Sequence, residues 1–212
     1  MKTKYLPMFP LGMVVYPQER VNLHIFEPRY RQLVNDCLTQ GTTFGIPTFV
    51  NDQVQKYGTE MRVAHLHQRY DDGRLDIETE GLSVFRILEF ENPAPGKLHA
   101  GASVEILTVW GDPQSDLVEA LMTKVKELHR VLQTELKLRV PDYDYLSHAW
   151  AHKIGLSTEQ EYEMLTLLSE KERQKYLLDH LEKAIPIISE MERTKERIRM
   201  NGHFRQFDPL DF

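Results

Sequence analysis

The chain has 212 residues, 26 of them basic and 32 acidic, for a formal net charge of −6. Both parts share that balance, with 11 basic against 13 acidic residues through position 110 and 15 against 19 after it, which argues against a surface built to hold nucleic-acid phosphates. One cysteine excludes an internal disulfide, and with neither a signal peptide nor an apolar run long enough to span a bilayer, the expected home is a reducing cytoplasm, away from any membrane.

Taken in order, Met13 to Tyr16 is an apolar, β-prone run closed by Pro17, and Val21, Leu23 and Ile25 alternate with Asn22, His24 and Phe26 as a second strand would. Pro28 suits the first position of a helix, because it has no backbone donor to waste. Tyr30, Leu33, Val34 and Cys37 then recur on one face, and Gly41 can end the segment in a left-handed conformation. Short β segments follow at Thr43–Phe49, Thr59–Tyr70, Arg74–Thr79, Ser83–Phe90 and Ala102–Val109, so a mostly antiparallel barrel is expected. Asp72-Gly73 reads as a primed hairpin turn, and Pro47 to Gln55 reads as a loop.

From Pro113 the period becomes helical. Ser115 or Asp116 can cap a helix in which Leu117, Leu121, Val125, Leu128 and Leu132 form one stripe. Lys137 to Asp144 is a polar connection, Tyr145 to Lys153 a short helix stopped by Gly155, and Ser157 with Gln160 and Ser169 with Glu172 both fit a capping box. The last helix is expected from Glu170 to about Met200, kinked at Pro186 and ended by Asn201-Gly202. The organisation is α+β, with a β subdomain over 1–112 and a helical subdomain over 113–212.

Several stretches carry a family resemblance: FPLG at 9–12, VNLHIFEPRYRQLVNDCL at 21–38, FGIP at 44–47, Gly58-Thr59, Asp72-Gly73-Arg74 with Ile77, Glu80-Gly81 and Phe85-Arg86-Ile87. Together they resemble the amino-terminal domain of the Lon family of ATP-dependent proteases, densely over the first half and more loosely through MERTKERIRMNGHF at 191–204. The resemblance implies a PUA-like pseudobarrel followed by helices, and a role in capturing unfolded or exposed polypeptide.

The motor and protease elements of that family have no counterpart in these 212 residues. Gly96-Lys97 is followed by Leu98 rather than Ser or Thr, and Glu91 stands where a P-loop would need its first glycine. Ser103, Ser147 and Ser157 lie in no nucleophile-elbow pattern. The chain therefore reads as a stand-alone recognition module, without catalytic residues or cofactor. His148 and His152 stand one helical turn apart, but residue 149 is Ala and no third ligand is near in sequence, so no metal is assigned to them. His65 and His67 share a strand face and read equally well as exposed surface, while His24 is read as bridging backbone groups at the strand-to-helix corner, braced by Glu27 with Arg29 or Arg31.

Capture of a flexible chain needs shallow apolar surface or an unpaired strand edge more than one deep pocket. The expected peptide-binding residues are Met13, Val15, Tyr16 and Pro17, with the Pro47–Gln55 loop, and Phe207, Leu210 and Phe212 of the apolar terminal segment. That segment is expected to dock on the molecule's own barrel or on a second copy, which makes a homo-oligomer one of the expected partners beside polypeptide clients. Two alternatives stay open: a small-ligand or RNA-binding module of PUA-like form, and an adaptor for one fixed protein.

Overall fold

The alternation of inward and outward residues builds most of a six-stranded sheet. The computed structural model describes residues 2–134 and 146–203. Its strands are β1 (Lys2–Met8), β2 (Arg20–Ile25), β3 (Phe44–Val50), β4 (Gln53–Arg69), β5 (Leu75–Glu91) and β6 (Ala100–Ile106), in the order β2-β5-β4-β3-β1-β6. Because β5 also pairs with β6, the ring β5-β4-β3-β1-β6 closes on itself. All pairings are antiparallel except β1 with β3.

Helix α1 (Pro28–Gln40) forms as its sequence dictates. Pro28 begins it, Tyr30, Leu33, Val34 and Cys37 are its buried residues, and Gly41 closes it at φ 64° with its amide donating to the Cys37 carbonyl. The buried face packs with Phe9, Phe44, Ile46, Met61 and Ile77, and the Phe9 and Tyr30 rings stack at 3.9 Å.

Five readings of the sheet change. β1 was not anticipated: its lysines and Pro7 hide an alternation in which Leu6 and Met8 are fully buried. Pro7 cannot donate to a neighbour, and the β1–β3 pairing starts one residue later, at Met8 opposite Gly45. Met13–Tyr16 is not a strand, because its apolar residues serve two cores instead of a ladder: Val14 and Tyr16 enter one cluster and Val15 another. The two segments expected around Gly81 are one continuous strand, β5. Finally, Pro47–Gln55 is mostly ladder, with Asn51 and Asp52 both at positive φ (53° and 57°) as the two-residue primed turn. At Asp72-Gly73 only Gly73 has positive φ. The Gly73 amide donates to Tyr70 and the Tyr70 amide to Arg74, so the loop has three residues and a bulge rather than a primed turn.

The helices are α2 (Ser115–Val131), α3 (Leu146–Ala151), α4 (Thr158–Thr166) and α5 (Glu170–His203). α2 is preceded by Gln114, which makes no side-chain cap, so the expected Ser115 or Asp116 cap is replaced by tethering: the Gln114 amide donates to Gln174 Oε1 at 3.3 Å. α4 carries the full capping box of Ser157 and Gln160. At α5, Ser169 Oγ accepts from the Glu172 amide at 3.4 Å, and the Asp112 carboxylate accepts from Ser169 Oγ and the Lys171 amide. α5 runs through Pro186 and past Asn201-Gly202 to His203. The expected connection Lys137–Asp144 lies outside the described residues.

Leu121, Val125, Trp150, Met164, Leu177 and Leu181 form the helical core, and Val14, Tyr16 and Val84 from the β half belong to the same cluster. Backbone bonds from Trp110 to Leu168 (2.7 Å) and from Glu170 to Trp110 (3.0 Å) stitch the end of the sheet to the start of α5.

Candidate polypeptide-binding surface

Residues 9–17 run from the sheet to the helices, and their backbone shows why the chain is held there. Phe9 donates to the Gly45 carbonyl at 2.8 Å, Leu11 donates to Pro47 at 3.3 Å, and Phe49 donates back to Leu11 at 2.7 Å. Thr59 Oγ1 donates to the Val15 carbonyl. The Tyr16 carbonyl then passes so close to β5 that a Cβ at Gly81 would lie 2.2 Å from its oxygen, so only glycine fits.

This path separates the expected binding residues. Val15 and Tyr16 are 1% exposed and Pro17 is buried, so none of the three offers an open apolar surface to a client. Met13 is half-buried and packs on the same cluster as half-buried Leu11. Phe49, in the segment read as a loop, is 40% exposed and bonded to Leu11 through its backbone. Backbone bonds hold Leu11 beside the Pro47–Gln55 segment, opposite Thr48, and Met13 follows two residues later; Leu11 and Phe49 are residues that sequence reasoning did not single out. Phe207, Leu210 and Phe212 lie outside the described residues.

Tyr16 is instead the pin between the two halves. Its hydroxyl donates to the Glu161 carbonyl at 3.0 Å, and its ring stacks on His148 at 4.9 Å with an interplanar angle of 15°. Burial, then Glu161 and Glu19, push the Tyr16 hydroxyl pKa far above its ordinary value, so it stays protonated. His152 Nε2 lies 3.2 Å from Glu19 Oε2 and its Nδ1 lies 2.7 Å from Glu161 Oε1. Glu19 first, with Glu161 reinforcing it, pushes the imidazole up to about 9 against the opposing effect of burial. His148, one turn earlier, is driven well below the usual histidine range by burial, then by Arg173 and His152. A cavity of about 300 Å³ opens here, lined by Tyr16, Pro17, Glu19, His148 and His152 among others. Burial thus lowers the pKa of one imidazole while carboxylates raise that of the other; among the described residues no cluster of three His, Cys, Asp or Glu has metal-binding geometry.

A cleft of about 490 Å³ lies between β1, the end of α1 and the loop before β6. Lys4 bonds Glu60 at 2.6 Å and Lys97 bonds Asp36 at 2.7 Å, so both lysines on its walls already have carboxylate partners. Tyr5 donates to Glu91 at 2.7 Å, and burial and that carboxylate push its hydroxyl up to about 12. His24 does not bridge backbone groups: its Nδ1 sits 2.5 Å from Asp76 Oδ1, because the β2–β5 register sets the two opposite each other. Glu27 is braced by Arg29, while Arg31 turns away to the Asp72 carbonyl.

Ser147, which had no catalytic context in sequence, belongs to a fully buried polar knot. Its Oγ donates to Glu170 Oε2 at 2.6 Å, and Arg173 donates to the same carboxylate at 2.8 Å and to the Leu167 carbonyl at 2.8 Å. Gln174 completes it at 3.4 Å from Glu170 Oε1. The knot joins α3 to α5. Its only sequence signal is Glu170 and Arg173 at i, i+3 beside the buried stripe of α5.

Comparison with known proteins follows the same outline. The family described as the ATP-dependent protease La (LON) substrate-binding domain matches residues 5–183. A Lon N-terminal domain protein from Xanthomonas campestris superposes with a TM-score of 0.66 at 25% identity, over 83% of this chain and 98% of that one. The N-terminal domain of a Mycobacterium avium complex Lon protease shares the fold at a TM-score of 0.63 and 15% identity, over 84% of this chain and 98% of that one. With the family model matched over most of its length, this chain belongs to the Lon substrate-binding domain family.

Proposed function

We propose that the chain is a polypeptide-recognition module that binds exposed, flexible segments of other proteins in the cytoplasm, and that Phe49, with Leu11 and Met13, contacts them on a PUA-like pseudobarrel. The observation that supports this most is family membership, beside which Phe49 exposes an aromatic ring on a segment whose backbone is bonded to half-buried Leu11. Flexible clients lose ordering entropy on binding, and a shallow strip suits weak, repeated contacts better than an enclosed pocket does. In this reading Phe207, Leu210 and Phe212 supply further apolar contacts to the client surface, which deletion of residues 204–212 tests as reduced affinity.

The direct test is fluorescence anisotropy of a labelled, reduced and alkylated model protein titrated with the full chain. Phe49→Asp and Met13→Asp are each expected to weaken binding about tenfold while the Phe49 variant keeps its unfolding midpoint. Wild-type protein that leaves the anisotropy flat up to about 300 µM, or substitutions without effect on it, would overturn the reading.

A further inference from the structure

The sheet leaves β2 half paired. The ring β5-β4-β3-β1-β6 closes on itself, while β2 hangs from β5 alone, so its far side is a bare edge among the described residues. The ladder fixes which groups face that edge. The Gly81 amide donates to the Glu19 carbonyl at 2.9 Å, Thr79 Oγ1 donates to the Val21 carbonyl at 3.0 Å, and an unbroken register sets Val21, Leu23 and Ile25 opposite Thr79, Ile77 and Leu75. Bonded positions alternate in an antiparallel pair, so Val21, Leu23 and Ile25 bond to β5, and the amides and carbonyls of Arg20, Asn22 and His24 point outward. β2 also lacks the usual guards of an exposed edge: it has no proline, its pairing with β5 has no bulge, and its inward residues carry no charge. Val21 and Leu23 are half-buried at the rim of the barrel core, and Phe26 just beyond the strand is 60% exposed.

We propose that β2 receives an extended segment of a client chain as an added antiparallel strand, with apolar client residues at alternate positions beside Val21 and Leu23. This rests on the polypeptide-recognition reading and adds a backbone contact to the side-chain contacts at Phe49. A row of alternating donors and acceptors is complemented by extended backbone, which a flexible chain supplies whatever its sequence. The pleat then sets the pattern. Client residues opposite Asn22 and His24 bond to them and face solvent, and those opposite Val21 and Leu23 turn inward and complete the rim of the core. A second copy fits the same edge poorly, since antiparallel pairing about Asn22 sets Arg20 against His24 at both ends, basic facing basic.

Anisotropy of the full chain with two labelled probes tests this: the reduced and alkylated model protein, and an acetylated, amidated peptide alternating valine and threonine between terminal glutamates. Wild type is expected to bind the peptide with a Kd of about 10–100 µM. Asn22→Pro removes an amide that β5 does not use, so it is expected to keep the unfolding midpoint while weakening both probes about tenfold. The peptide reports independently of any variant: N-methylation of its threonines, whose amides face β2, is expected to abolish binding, and N-methylation of its valines to be tolerated. Model protein that binds Asn22→Pro as tightly as wild type overturns the proposal and leaves the recognition reading standing. So does a peptide that wild type ignores, or one indifferent to which amides are methylated, while the model protein binds. Wild type that binds neither probe defeats both. A wild-type dimer in sedimentation velocity that Asn22→Pro dissolves makes a second copy the occupant and overturns the proposal as well.

Discussion

The imidazoles of His148 and His152 are one helical turn apart, yet burial lowers the pKa of the first while Glu19 and Glu161 raise that of the second. His152 has Glu19 and Glu161, so its folded pKa of about 9 exceeds the unfolded value and its contribution to stability is complete below about pH 6.5 and fades as pH rises through 9. His152→Gln is therefore expected to cost about 2 kcal/mol at pH 6, allowing for partial solvent screening, and almost nothing at pH 10, as read by urea unfolding across pH. His148 has the reverse sign: it is buried neutral, so the folded state loses stability as pH falls below the ordinary histidine range. In the polar knot, Arg173→Met leaves the Glu170 carboxylate buried without its cation, with an expected loss of about 3–5 kcal/mol. Replacing Glu170 by Gln in the same protein should recover part of that loss, measured as a raised unfolding midpoint. The His152 cluster was not visible in the sequence, because Glu19 lies far from His152 and Glu161 in the chain and meets them only when Tyr16 is pinned between the two halves.

Single elements were legible where a local rule sufficed. α1 follows from Pro28, one apolar face and Gly41, and α4 from its capping box; Ser157→Ala should lower stability by about 1 kcal/mol in chemical denaturation. The misreadings share one cause, which is that tertiary partners outrank local pattern. Asp72-Gly73 has the stronger primed-turn composition, yet Arg31 reaches its carbonyl and the loop takes a third residue, while the unassuming Asn51-Asp52 makes the primed turn. β1 carried no strand reading because its two buried positions, Leu6 and Met8, sit among lysines and Pro7. At Gly81 the constraint comes from Tyr16 crossing over β5, so Gly81→Ala is expected to destabilise by several kcal/mol, more than a loss of backbone freedom alone would produce. A thermal melt distinguishes the two, since a shift of only a degree or two would contradict the close approach.

At the scale of the molecule, the β half and the helices are joined by a shared apolar cluster, the Tyr16 pin and the Trp110 backbone bonds. Residues 1–112 and 113–212 are accordingly expected to unfold in one transition, with near-ultraviolet and far-ultraviolet circular dichroism superimposable through the melt. The family and the α+β plan were legible from motifs because those motifs mark turns and close approaches that the fold requires. The binding surface was only half legible: apolar β-prone runs identify buried linkers as readily as exposed patches, and pattern alone does not separate Met13 from Val15 two residues later.

The stretch Val14-Val15-Tyr16 feeds alternate side chains to opposite cores, which makes it a registration key. Slipping it by one position would eject apolar groups from both compartments at once, so neither can loosen without disturbing the other. A residue inserted between Val14 and Val15 should abolish folding of both halves together.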